Sequence, residues 1–217
     1  MAPRISGFLA KRELRRAHAM YAMTTAWLIL LAWPIYITSA LFAGLLITVF
    51  GSDYARGAPV VGILCCVMLL ATACGPVDTV LLMGGRSRWS LLNTGLALVG
   101  NVAVDLLLVP AHGIIGAAVG WSVGIILGNI LPLFQVHRFL DMHPFGGASA
   151  RAALTAMVCF GGCGIVSRAA FGVTVAGCSA ALIAGGLAYA FCLRAQAPSL
   201  GLDAVWSVVE GRRARSR

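Results

Sequence analysis

Six stretches of the chain are apolar on every side: residues 22–50, 59–83, 89–109, 114–136, 152–166 and 173–193. Polar and charged residues gather in the gaps between them. A helix rises about 1.5 Å per residue, so a hydrocarbon core about 30 Å thick is crossed by about 20 apolar residues. The fifth stretch is the shortest, is rich in glycine and stops before Arg168. It spans if it tilts little or reaches past Ser167. None of the stretches alternates with the period of two that a membrane β-barrel needs. The pattern predicts an all-α integral membrane helical bundle with six transmembrane helices. A leader of residues 1–21 precedes the membrane domain of residues 22–193, and a tail of residues 194–217 follows it.

Charge then adds direction. Fourteen of the sixteen Lys and Arg residues fall in alternate gaps. The leader holds Arg4, Lys11, Arg12, Arg15 and Arg16, the second gap Arg86 and Arg88, and the fourth Arg138 and Arg151. The tail holds Arg194, Arg212, Arg213, Arg215 and Arg217, which leaves only Arg56 and Arg168 for the other gaps. Short basic loops are retained in the cytoplasm, so both termini are expected there. A net charge of +9 then reflects retention and contact with anionic membrane lipid rather than nucleic acid. The basic residues are scattered over distant loops and surround no nucleic-acid-binding motif. Composition agrees, with 60% apolar and 11% charged residues, against about 25% charged in a soluble domain.

The first apolar run is about twice the length of a signal-peptide core, so it reads as an anchor that stays in the membrane. Before it, Lys11, Arg12, Arg15 and Arg16 share one helical face and Ile5, Phe8 and Leu9 lie on another. Residues 4–20 therefore read as a short interfacial helix or as a disordered basic leader. Leu202, Val205, Trp206 and Val209 recur at helical spacing, which suggests a second surface helix over residues 200–210.

Small residues and prolines shape the spans. Gly116, Gly120, Gly124 and Gly128 stand four residues apart in the fourth span, and this repeat lets a neighbouring helix approach backbone to backbone. Tight packing is the plain reading, and sliding of one helix on another is the functional one. Gly177, Ala181 and Gly185 form a shorter version on the sixth span. Pro34 and the pair Gly75–Pro76 predict bends in the first two spans. The seven cysteines lie inside apolar stretches without a C-x-x-C pair or a histidine at ligand spacing, so they read as small packing residues. No metal site and no cofactor is expected.

Only Asp78 and Asp105 are ionisable within the first four spans. Each lies near a membrane face, where hydration or capping satisfies it; alternatively each lines a cavity and takes up a proton or pairs with an arginine. Asn93, Asn101 and Asp105 keep to one side of the third span, a polar stripe turned to the bundle interior or to water. Asn129 and Gln135 add polar groups on the fourth span. Such groups bind sugar hydroxyls or hold helices together. No nucleophile–base pair, H-E-x-x-H, G-x-S-x-G or phosphate loop is present, and His18, His112, His137 and His143 fall at span ends or in the leader. No catalytic residue and no enzymatic activity is expected.

One stretch is distinctive: Asn101 and Asp105, then Leu106, Leu107, Leu108 and Val109 ending in Pro110, followed by Gly113, Gly116-Ala117-Ala118 and Trp121. It resembles the C-terminal half of bacterial polysaccharide (oligosaccharide-lipid) flippases of the multidrug/oligosaccharidyl-lipid/polysaccharide exporter superfamily. Trp33-Pro34-Ile35, Phe50-Gly51-Ser52-Asp53-Tyr54 and Gly84-Gly85-Arg86 fall in the matching order. The resemblance covers roughly residues 1–145. It implies a role in moving lipid-linked glycans across the bacterial inner membrane, with Asp105, Asn101, Asn93 and Asp78 lining the path. Members of that superfamily are about twice as long, and the cations that meet the lipid pyrophosphate are missing from the first four spans here. The resemblance therefore implies a split or truncated transporter, an upstream start, or a second chain that supplies the missing N-terminal helices. The alternative is a non-transporting membrane interaction module of a glycan-assembly complex.

Overall fold

The computed structural model describes residues 14–48 and 51–196. The surface helix read over residues 200–210 and most of the leader lie outside the described residues. The protein is a multi-pass membrane protein with six helices long and apolar enough to cross a bilayer. Among the described residues there is no strand.

In chain order, α1 is Leu14–Leu41, α2 Ala43–Thr48, α3 Ala58–Cys74, α4 Val77–Met83, α5 Ser87–His112, α6 Ile114–Leu140, α7 Gly147–Ala156, α8 Cys163–Phe171 and α9 Val175–Gln196. A 3-10 turn, Ser52–Gly57, joins α2 to α3, and a π-helical turn, Met157–Gly162, joins α7 to α8. Helices α3 and α4 together form the second span, and α7, the π turn and α8 form the fifth.

Helix α1 is the centre of the bundle. Ala17, Tyr21, Thr25, Ile29, Trp33 and Ile37 are all buried and recur every four residues, so they form one ridge winding gently across the helix. One side of α1 packs on α3, the other on α7 and the π turn. From there the helices continue outward in a row, with α9 against α8 on one flank, and α6 then α5 beyond α3 on the other. Two apolar clusters result. Ile29, Trp33 and Ile37 meet Ala156, Phe160 and Tyr189 in the middle. Ala17 and Tyr21 meet Val77, Val80, Leu81 and Val136 at one end.

Among the described residues, those of the basic gaps meet at one end of the bundle. Arg86 stacks on Phe139 with its guanidinium carbon 4.4 Å from the ring centre, and His18 reaches the carbonyl of His143. At the opposite end Arg168 donates to the carbonyl of Leu41 over 2.7 Å.

The predicted bend at Gly75–Pro76 is a full break between α3 and α4. Gly75 adopts φ +65°, a conformation that glycine enters without strain, and a side chain there would collide with the hydroxyl of Thr25. The break frees the carbonyl of Cys74, and α1 supplies its donor and a second contact close by. Tyr21 Oη donates to the carbonyl of Cys74 over 2.7 Å, and Trp33 Nε1 donates to Thr72 Oγ1 over 3.0 Å. Pro34 stays within α1, whose helix ends at Leu41.

Two spans are longer than their apolar runs. Helix α1 starts before residue 22 because Ala17 and Tyr21 are fully buried against α4 and α6. The fifth span covers Gly147–Phe171 rather than residues 152–166. Arg151 and Arg168 lie within it, both exposed near its two ends, where long cationic side chains reach polar surroundings.

Candidate functional site

The α5–α6 hairpin carries most of the polar groups singled out in the sequence. Its connection is a single residue, Gly113, at φ +55°, whose N–H closes α5 on Val109 O at 2.8 Å. So short a turn forces the two helices together, and the glycines of α6 make room. A side chain at Gly116 would lie 2.5 Å from the backbone carbonyl of Leu108. At Gly120 it would overlap the carboxylate of Asp105, and at Gly124 it would come within 3.2 Å of Asn101 Cβ. At Gly128 the nearest atom, Ala97 Cβ, is 3.7 Å away, an ordinary contact. The glycine face is therefore the surface on which the polar side of α5 rests.

Asp105 lies in that contact. Asn101 Nδ2 donates to Asp105 Oδ2 over 3.1 Å, while Asp105 Oδ1 is buried beside Gly120 with no hydrogen-bond partner among the described residues. Helix α5 continues through Pro110 to His112. Asp105 therefore lies about 10 Å from the helix end at the standard rise, deeper than the apolar run alone implies. An acceptor buried without a donor costs about 1–3 kcal/mol, so Oδ1 is a site of unmet hydrogen bonding.

Asn93, about three turns nearer the arginine-rich end than Asp105, is only 2% exposed. It forms a reciprocal amide pair with Gln135 on α6. Asn93 Nδ2 donates to Gln135 Oε1 at 2.7 Å, and Gln135 Nε2 donates back to Asn93 Oδ1 at 2.8 Å. Asn129 turns its amide onto its own helix, donating to Ile125 O at 2.8 Å. Asp78 sits half-buried in the first turn of α4, with no hydrogen bond or ion pair to another described residue. It belongs to the arginine-rich end, far along the bundle axis from Asp105. The structure thus joins Asn101 to Asp105, gives Asn93 its own partner, and leaves Asp78 apart from all three.

A cleft of about 240 Å³ opens on the side of the hairpin, lined by Thr94, Leu98, Asn101, Trp121 and Gly124 among others. Thr94 and Trp121 were not singled out for a site from the sequence. Thr94 precedes Asn101 by seven residues, two helical turns, so its spacing did carry the signal. Trp121 comes from the facing helix, and only the packing brings it in. Among the described residues no three His, Cys, Asp or Glu side chains converge as a metal site requires. The cysteines are free thiols.

Compared with known proteins, the chain matches no family model, no curated protein and no solved structure.

Proposed function

We propose that this chain is part of a transporter that moves lipid-linked oligosaccharide or polysaccharide units across a bacterial inner membrane, with both termini in the cytoplasm. The observation that carries the proposal is the Asp105 carboxyl. One oxygen is held by Asn101, and the other is buried at the glycine face of α6 without a donor among the described residues. The cleft beside it offers an amide, a hydroxyl and an indole ring, groups suited to hydroxyl-rich ligands. If α6 rocks on its glycines, Asp105 and Asn101 enter a water-filled path, and a sugar hydroxyl or a proton supplies the missing donor. Asn93 and Asp78 lie toward the arginine-rich end, Asn93 already paired with Gln135 and neither of them part of the cleft lining. In this reading a second chain supplies the further helices that enclose the path.

The same contacts also favour a second reading. Asn93 is fully paired with Gln135, and the Asn101–Asp105 pair is packed against α6, as expected of polar groups that hold helices together in a non-transporting module of a glycan-assembly complex. Replacing Asp105 by Asn in the native organism separates the two. Transport predicts normal amounts of the folded protein with at least about a tenfold fall in lipid-linked glycan at the outer leaflet, the scale expected when a buried polar contact of about 1.4 kcal/mol is lost. Normal export at normal expression would rule out the transport role of Asp105. Lowered expression with export falling in proportion would favour the packing module.

A further inference from the structure

Asn101 lies deep in the apolar length of α5. At the standard helical rise it stands about 16 Å from His112 and about 21 Å from Ser87. One amide hydrogen goes to Asp105 Oδ2. The other hydrogen and the side-chain oxygen have no partner among the described residues. Asn101 is half-buried and lines the cleft on the side of the hairpin with Leu98 and Trp121. The indole N–H of Trp121 also has no acceptor among the described residues. Hydrocarbon offers such groups nothing, and an amide left unpaired in it is costly. Polar side chains at this depth therefore turn to protein or water, not to lipid.

The fold leaves room for protein at this place. Helix α5 is the last of the row, packed on α6 and α4. Leu91, Leu98, Val102 and Leu106 are exposed on its outer side, and their spacing keeps them on one strip with Asn101 at its edge. Two copies inserted the same way are related by a two-fold axis along the membrane normal. Their α5 helices then run parallel, and every residue meets its own counterpart at one depth. An asparagine side chain carries both donor and acceptor. Asn101 of each copy thus offers the hydrogen that the other copy's oxygen lacks. Asn93 and Gln135 already close such a reciprocal amide pair within the chain. A foreign helix would need an amide of its own at the matching depth, and a second copy has one by symmetry.

We propose that a second copy of this chain docks on the α5 edge, parallel and two-fold related, with the two Asn101 amides paired across the axis and Leu98 and Val102 packed around them. The second α5 covers the open side of the hairpin cleft. In the transport reading this copy is the second chain that encloses the path, but the pairing itself does not rest on transport.

The test counts subunits of the full chain in lipid vesicles by single-molecule photobleaching over a series of dilutions. The wild-type protein should pass from dimer to monomer as it is diluted. Asn101→Leu should raise the dissociation constant about threefold or more, and Asn101→Gln, which keeps an amide, should weaken the dimer less. A second measurement locates the contact. In a variant whose seven cysteines are replaced by Ala, copper phenanthroline should join Leu98→Cys into a disulfide-linked dimer. It should not join Ile183→Cys, which is equally exposed but lies on α9 at the far flank. A chain that is monomeric at every dilution overturns the proposal and leaves the cleft to lipid or a glycan, with the transport reading still standing. A dimer that Asn101→Leu does not weaken overturns it too, as does cross-linking through Ile183→Cys in place of Leu98→Cys. If Asn101→Leu does not fold, the cysteine pair decides alone.

Discussion

Replacing the α6 glycines one at a time by alanine reads the α5–α6 contact directly. At Gly128 the new methyl meets Ala97 Cβ at 3.7 Å. There the change only removes the flexibility of glycine, worth about 0.5–1 kcal/mol in a helix. At Gly124 the 3.2 Å approach to Asn101 Cβ offsets that gain, and the net effect should be near zero. At Gly116 the methyl lies 2.5 Å from the carbonyl carbon and oxygen of Leu108 and 2.8 Å from Val109 N. Backbone cannot turn aside, so the helices must separate. Overpacking of this kind costs about 1–3 kcal/mol, which outweighs the glycine gain by about 1–2 kcal/mol. Gly120→Ala displaces the Asp105 carboxylate and should fall in the same range. For a chain of this size, with about 2–4 °C per kcal/mol, Gly128→Ala should raise Tm by about 1–4 °C. Gly116→Ala and Gly120→Ala should lower it by about 2–8 °C. Thermal stability of fluorescent fusions by size-exclusion chromatography in detergent measures the series. Equal shifts at all four positions, or the greatest loss at Gly128, would refute the graded backbone contact.

Three further outcomes follow from the packing. Asn93→Leu or Gln135→Leu alone strands a buried amide, so the double change should be less harmful than the two single losses added, with a coupling of about 0.6–1.7 kcal/mol in a double-mutant cycle; simple additivity would argue against the pair. Gly75→Ala should destabilise the protein by at least about 1–3 kcal/mol, and Thr25→Ala should restore part of that, whereas no rescue would mean that Thr25 does not abut Gly75. In a variant whose seven native cysteines are replaced by Ala, impermeant maleimide added to intact cells should spare Ser87→Cys and label His112→Cys, and the opposite pattern would invert the topology.

The six spans were legible because apolar length, which a sequence displays openly, decides whether a helix can cross a bilayer. The span bounds moved where a cation stood at the edge of an apolar run. Arg151 and Arg168 read as the ends of the fifth span, yet each sits inside its helix with the charge at a polar margin, and Arg168 finds the Leu41 carbonyl. Residues 4–20 read as a short interfacial helix or a disordered basic leader, and α1 runs unbroken from Leu14 with Ala17 and Tyr21 buried against α4 and α6. Neither the π turn at Met157–Gly162 nor the depth of the Gly75 break has a local pattern that fixes it. At the candidate site, the stripe of Asn93, Asn101 and Asp105 was legible from periodicity. Its partners were not, because Gln135, Gly120 and Trp121 lie on another helix, and one sequence does not state which helices adjoin.

The one-residue joint at Gly113 leaves almost no protein outside the bilayer where α5 meets α6. An antibody raised against the folded molecule would find little to grip at that joint. For the same reason the hairpin itself builds no vestibule above its cleft, which opens on its side.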